Sequence, residues 1–187
     1  IVTTYDANEV GERFYVVLEF VDGPSVQALV EQRGPLPAVE ACEIIRQAAR
    51  GLKHAHEQGM THRNLTPSNV LVSRTAKGST GSTVKLTDFG LAPFSPMARA
   101  SALEQTPLPP SLIASLKYTA PERLTNLASA DPRSDLYSLG AVFHFLLSGR
   151  PPMCEGRQYD LPLDVPPLVA EMVKTLLSPN PDDRIPT

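Results

Sequence analysis

Two hydrophobic rhythms alternate along this chain. Near its start, Phe14-Tyr15-Val16-Val17-Leu18-Glu19-Phe20 is rich in aromatic and β-branched residues. Together with Ile1 to Tyr5 it predicts a two-stranded hairpin, with Asp6-Ala7-Asn8 and Gly11-Glu12 as turn residues. Val21-Asp22-Gly23-Pro24 breaks the strand, and Ser25 to Gln32 reads as a short helix ending at Gly34. The rhythm then changes. From Pro37, which suits a first helical turn, apolar residues at Ala41, Ile45, Ala48, Leu52 and Ala55 make one buried stripe, ended by Gly59. Val70-Leu71-Val72 and Val84-Lys85-Leu86-Thr87 read as two strands around a Gly-, Ser- and Thr-rich turn over Thr75 to Ser82. Leu91 to Thr119 is irregular and rich in Pro and Ser. A helix opened by Ser134 runs to about Leu147 and stops at Gly149; it is apolar nearly all round, the pattern of a helix at the centre of a domain. A last helix spans about Pro167 to Leu177. The prolines, 19 in all and dense between Pro93 and Pro121 and after Gly149, mark turns and extended segments rather than helix.

Composition narrows the class. A chain of 187 residues, 42% hydrophobic and 20% charged, has the length and balance of a single globular domain. The net charge of -3 gives no electrostatic case for nucleic acid or an anionic membrane as partner. Two cysteines, Cys42 and Cys154, are too few for a disulfide framework and fit a reducing, cytoplasmic compartment; Cys42 falls on an apolar helical face and is expected in the core. No apolar run reaches the roughly 18 residues of a membrane span. His54 and His56 lie near a helix C-terminus, where the dipole favours a cation, and no metal-ligand spacing joins them to other residues, so both are read as structural. The start at Ile1 rather than Met suggests a fragment or a lost beginning.

The chemistry-bearing stretch is His62-Arg63-Asn64-Leu65-Thr66-Pro67-Ser68-Asn69. Downstream come Asp88-Phe89-Gly90 at the end of the second hairpin, Tyr118-Thr119-Ala120-Pro121-Glu122, Asp135-Leu136-Tyr137-Ser138-Leu139-Gly140, and Pro179-Asn180-Pro181-Asp182-Asp183-Arg184. In this order these motifs resemble the eukaryotic-like Ser/Thr protein kinase family: catalytic loop, metal-binding Asp-Phe-Gly, the Ala-Pro-Glu that closes the activation segment, the Asp of the central helix and the closing Arg. The resemblance implies an α+β, protein kinase-like fold in one partial domain. Residues 1-20 would be the last two strands of the small lobe, 21-24 the hinge, and 25-187 the large lobe with an activation segment over 88-122. The Gly-rich loop, the third-strand Lys and its Glu partner have no counterpart and would precede Ile1. The interval from Glu122 to Arg184 is short for the family, so one large-lobe helix is expected to be reduced to loop.

Carried over residue by residue, the resemblance makes Glu19, Phe20 and Val21 the backbone that pairs with adenine, with Leu71 beside it. Asn69 and Asp88 become the Mg²⁺ ligands. His62, Arg63, Phe89, Gly90, Glu122, Asp135 and Arg184 become structural, Asp135 holding the catalytic-loop backbone and Arg184 pairing with Glu122. Two positions depart from the pattern. Asn64 stands where the family has its catalytic Asp, and Thr66 where a Lys reaches the transferred phosphate. A neutral amide accepts no proton at pH 7, and a hydroxyl offsets no phosphate charge. A general base alone is worth about 10²–10⁴ in rate.

The expectation is therefore a pseudokinase that binds ATP and Mg²⁺, another protein, or both, and this span alone is expected to be inactive. Against it stand an active Ser/Thr kinase completed by an upstream half-lobe, and a structural remnant that binds neither nucleotide nor metal. A small-molecule kinase competes less well, since the Ala-Pro-Glu and Asp135 motifs belong to the protein-kinase pattern. Ser95, Ser101, Thr106 and Ser111 are candidate phosphorylation sites with Arg63 as charge partner, each weighed against a plain solvated hydroxyl. Ser115 stands where the family carries a Thr that bonds the catalytic Asp.

Overall fold

The computed structural model describes residues 1–11, 13–73, 82–89, 110–126, 131–152 and 159–185. Gly90, Ser95, Ser101, Thr106, Cys154, the side chain of Ser111 and most of the 75–82 turn lie outside the described residues.

Strands β1 (Thr4–Val10) and β2 (Arg13–Leu18) form an antiparallel hairpin in which Asp6, Ala7 and Asn8 face Val17, Val16 and Tyr15. The expected turn at Asp6-Ala7-Asn8 is therefore strand, and the reversal falls at Gly11. Pairing with a strongly β-forming partner overrides the weak strand preference of Asp, Ala and Asn. The side chains of Asp6 and Asn8 take the N–H groups of Ala7 and Glu9 at 2.9 and 2.8 Å. Alternate amides along β1 are thus satisfied locally.

Helix α1 (Val26–Arg33) is capped by Ser25, whose hydroxyl accepts the Ala28 N–H at 3.2 Å, and ends at Gly34. Helix α2 (Ala38–Glu57) buries the anticipated stripe, with Ile44 added to it. Strands β3 (Val70–Ser73) and β4 (Thr83–Leu86) pair antiparallel, and Val70, Val84 and Leu86 turn inward toward the core.

Helix α3 (Pro110–Leu116) lies in the stretch expected to be irregular, and α4 (Pro121–Thr125) follows it. Both begin on proline, as do α5 (Pro132–Ser148), α6 (Pro167–Leu176) and the 3₁₀ turns at Pro67 and Pro181. The reading of proline as a sign against helix is corrected here. At the first helical position its missing N–H would have no intrahelical acceptor, and its fixed φ suits the helix.

Helix α5 is the axis of the molecule. Ser134, Asp135 and every residue from Tyr137 to Leu147 are buried, against α2 on one side and α6 on the other. Gly140 permits the close approach of α6, because a Cβ there would stand 2.6 Å from Leu176 Cβ. Among the described residues no helix stands between Ser148 and Pro167. Between α2, α5 and α6 runs an open apolar groove of about 800 Å³, lined by Cys42, Ile45, Ala49, Phe143 and Met172 among others. Cys42, expected in the core, is half-buried on this groove, and burial pushes its thiol pKa up.

Candidate active site

The site forms where the 62–69 loop, the second hairpin and the N-terminal end of α5 meet. Asp135 is the organiser. Its carboxylate accepts the N–H of His62 and the N–H of Arg63, each at 2.8 Å, from the start of the buried helix. Arg63 has φ 65, in the left-handed region that a non-glycine residue enters at a cost. The two bonds to a buried carboxylate hold it there. The same Asp135 oxygen that binds His62 N–H lies 2.8 Å from His56 Nε2. His56 therefore belongs to this network rather than merely ending α2, whereas His54 is exposed.

His62 is fully buried, with its ring 4.4 Å from that of Phe89, and neither ring nitrogen finds a partner among the described residues. Burial outweighs the nearby carboxylates of Asp135 and Asp88 and lowers its pKa, so the ring is neutral and serves as packing between loop and hairpin.

Thr66 precedes a 3₁₀ turn at Pro67–Asn69, and its carbonyl accepts the Asn69 N–H at 3.0 Å. The Asn69 side chain donates Nδ2 to the Asn64 carbonyl at 2.9 Å, which assigns the amide orientation and leaves Oδ1 as its acceptor. Thr87 N–H donates to the Asn69 carbonyl at 3.0 Å, tying the loop to the residue before Asp88. Asp88 has φ 66, and its Oδ1 accepts the Thr87 hydroxyl at 3.2 Å. Strand alternation sets Leu71 and Lys85 opposite one another on the face away from the buried Val70 and Leu86. Above them, the Glu19 N–H is taken by the Thr3 carbonyl at 2.8 Å, Phe20 is 87% exposed and Val21 is half-buried.

At the same N-terminal end of α5, beside Asp135, Glu122 and Arg184 form a pair. Arg184 gives Nη1 and Nη2 to the two Glu122 oxygens at 2.7 and 2.9 Å. Its other N–H groups go to the carbonyls of Arg133, Ser178 and Pro179, so all five donors are used, and Tyr137 covers its face at 5.2 Å. Burial would raise the Glu122 pKa, but the Arg184 bonds and the Ser134 hydroxyl at 2.8 Å outweigh it and hold it below the usual value.

Residues that sequence reasoning left out of the site are His56, Lys85 and Gly23. Lys85 donates to Glu19, and the only local signal for it was a charge on the strand that leads to Asp88.

The protein kinase domain family model matches residues 1–186, and the chain belongs to that family. It is 36% identical over 156 residues to serine/threonine-protein kinase PknB of Mycobacterium leprae (strain TN), covering 81% of this chain and 23% of that protein. It is 31% identical over 199 residues to serine/threonine-protein kinase PknL of Mycobacterium tuberculosis (strain ATCC 25618 / H37Rv), covering 98% of this chain and 47% of that protein. The chain thus spans between about a quarter and a half of the length of these relatives. Its fold resembles the crystal structure of Rad53 1-466 in complex with AMP-PNP, with a TM-score of 0.72, 27% identity, and coverage of 98% of this chain and 47% of that one. The protein kinase-like α+β fold is established on these grounds.

Proposed function

We propose that this span is a single partial kinase domain, divided as 1-20, 21-24 and 25-187 with its activation segment over 88-122, that binds Mg²⁺-ATP but transfers phosphate poorly or not at all. It would then act as a pseudokinase through contacts with another protein. The observation that carries this reading is the composition of the loop. The frame around Asn64 and Thr66 is held by Asp135 on one side and by Asn69 on the other, yet neither side chain can do what an Asp and a Lys would do there.

The donor chemistry suits a hard cation. Asp88 keeps a carboxylate oxygen beyond the one its Thr87 bond uses, and Asn69 keeps its side-chain oxygen as an acceptor because its amide nitrogen is held by the Asn64 carbonyl. Asn69 and Asp88 would hold Mg²⁺, which when bound neutralises charge on the nucleotide phosphates. The backbone of Glu19 to Val21 would seat the base above Leu71, and the likeness to a structure containing AMP-PNP supports a nucleotide in this cleft. Asn64 would orient a substrate hydroxyl without accepting its proton. Thr66 would leave the phosphate charge unopposed.

The second reading, an active Ser/Thr kinase acting on proteins, is favoured by the same Asn69–Asp88 arrangement and by the kinase relatives. One comparison separates the two: phosphate transfer from Mg²⁺-ATP by the complete protein beside the double revertant Asn64→Asp with Thr66→Lys. We expect the natural protein to be silent and the revertant to gain at least the 10²-fold or so that a general base supplies. Transfer by the natural protein, abolished in Asp88→Ala, would establish the active kinase instead. Absence of any Mg²⁺-ATP binding would leave only the structural remnant.

A further inference from the structure

The segment leaving β2 is fastened to the second hairpin at both ends. At its far end the Pro24 carbonyl accepts the Val72 N–H at 2.9 Å, and Ser25 pairs with Leu71. Gly23 lies so close to β3 that a Cβ would stand 2.0 Å from the Val72 carbonyl oxygen. At its near end the attachment is ionic. Lys85 Nζ donates to Glu19 Oε1, while Glu19 Oε2 accepts the Thr3 N–H at 3.2 Å. Next to this pair, Val2 N–H reaches the Leu86 carbonyl at 2.8 Å. The Lys85 and Glu19 side chains are 27% and 23% exposed, so the pair is half-buried.

Lys85 is three residues from Asp88, at most about 10 Å of chain. The intervening Thr87 is bonded through its N–H to Asn69. A shift of the 19–21 backbone against β4 therefore changes its distance from Asn69 and Asp88 together.

We infer that Lys85 is a positioning residue for nucleotide: by tying the Glu19 carboxylate to β4, it sets the spacing between the backbone that seats the base and the oxygens that hold the metal. This inference rests on the nucleotide reading above. A purely structural ion pair would affect all ligands alike. A spacing device affects a ligand that bridges both ends and spares one that occupies only the base end.

The test is calorimetric titration of the complete protein with Mg²⁺-ATP and, separately, with adenosine. Lys85→Met is expected to lower Mg²⁺-ATP affinity about two- to fivefold, the range such an ion pair spans, and to leave adenosine affinity unchanged. Glu19→Gln should lose Mg²⁺-ATP affinity to the same degree, the double variant should lose no more than either single one, and Lys85→Arg should restore the wild-type value. Additive losses, equal losses for adenosine and Mg²⁺-ATP, or no loss in Lys85→Met overturn the inference and leave nucleotide binding standing. A wild-type protein that fails to bind Mg²⁺-ATP overturns the nucleotide reading and this inference with it.

Discussion

Helix α5 and strand β1 are built to opposite rules. Thirteen of the seventeen residues of α5 are buried, whereas all seven of β1 are exposed. Around α5, the buried charges of Arg184 and Asp135 are each met by several partners. Along β1, Asp6 and Asn8 serve the backbone beside them, and Val10 and Tyr5 stand in solvent. The difference teaches where stability is concentrated. The helical body holds the loop in shape, and the hairpin, attached through Val2, Glu19 and the 23–25 segment, contributes position more than cohesion.

The largest expected effect, and the surest way to break this contrast, is at Arg184. Its side chain is fully buried, so Arg184→Ala removes five donors and leaves Glu122 with the Ser134 hydroxyl but without the guanidinium; the loss should be about 3–5 kcal/mol in urea unfolding. A loss below about 1 kcal/mol would mean that the helical body does not depend on its closing pair.

Acid titration sharpens the same point. The Glu122 pKa lies lower in the folded protein than its ordinary value near about 4.3. Its contribution is then fully present above that ordinary value and is lost as pH falls through the folded one. Melting curves of wild type and Glu122→Gln should differ clearly at pH 6, and the gap should begin to narrow only below about pH 4, closing as pH falls through the lowered folded pKa. A gap that stays constant across this range would refute the linkage.

The smallest effect belongs to the hairpin. Val10→Thr, at a position 67% exposed, should change unfolding free energy by no more than about 0.5 kcal/mol. A larger change would show that β1 packs against something in solution and would erase the contrast.

Much of this architecture was legible because periodicity is a local signal. Ala41, Ile45, Ala48, Leu52 and Ala55 announce one face of α2, and the unbroken apolar run of α5 announces burial on all sides. Ser25 and Gly34 mark the ends of α1 as cap chemistry demands. What stayed hidden was set by partners distant in sequence. Asp6 to Asn8 has turn composition and becomes strand because Tyr15 to Val17 pairs with it. Pro110 lies among prolines that suggested an irregular chain, but its own position is the start of a helix. In the site, the loop residues were legible as a motif, while His56 and Lys85 were not. Their partners lie 79 and 66 residues away, and nothing in the local pattern distinguishes either from a surface charge.

The three donors that converge on Asp135 have a consequence for how this chain can change over time. The loop takes its shape from backbone amides and a neighbouring histidine, none of which involves the side chains of Asn64 or Thr66. Those two positions are therefore free to drift without unfolding the domain, and selection for stability alone would not preserve an acid or a base at either. On the proposed reading, loss of chemistry would be a two-residue event on this frame, and the same economy would make it reversible. A lineage carrying this domain stands two substitutions from an acid and a lysine at these positions.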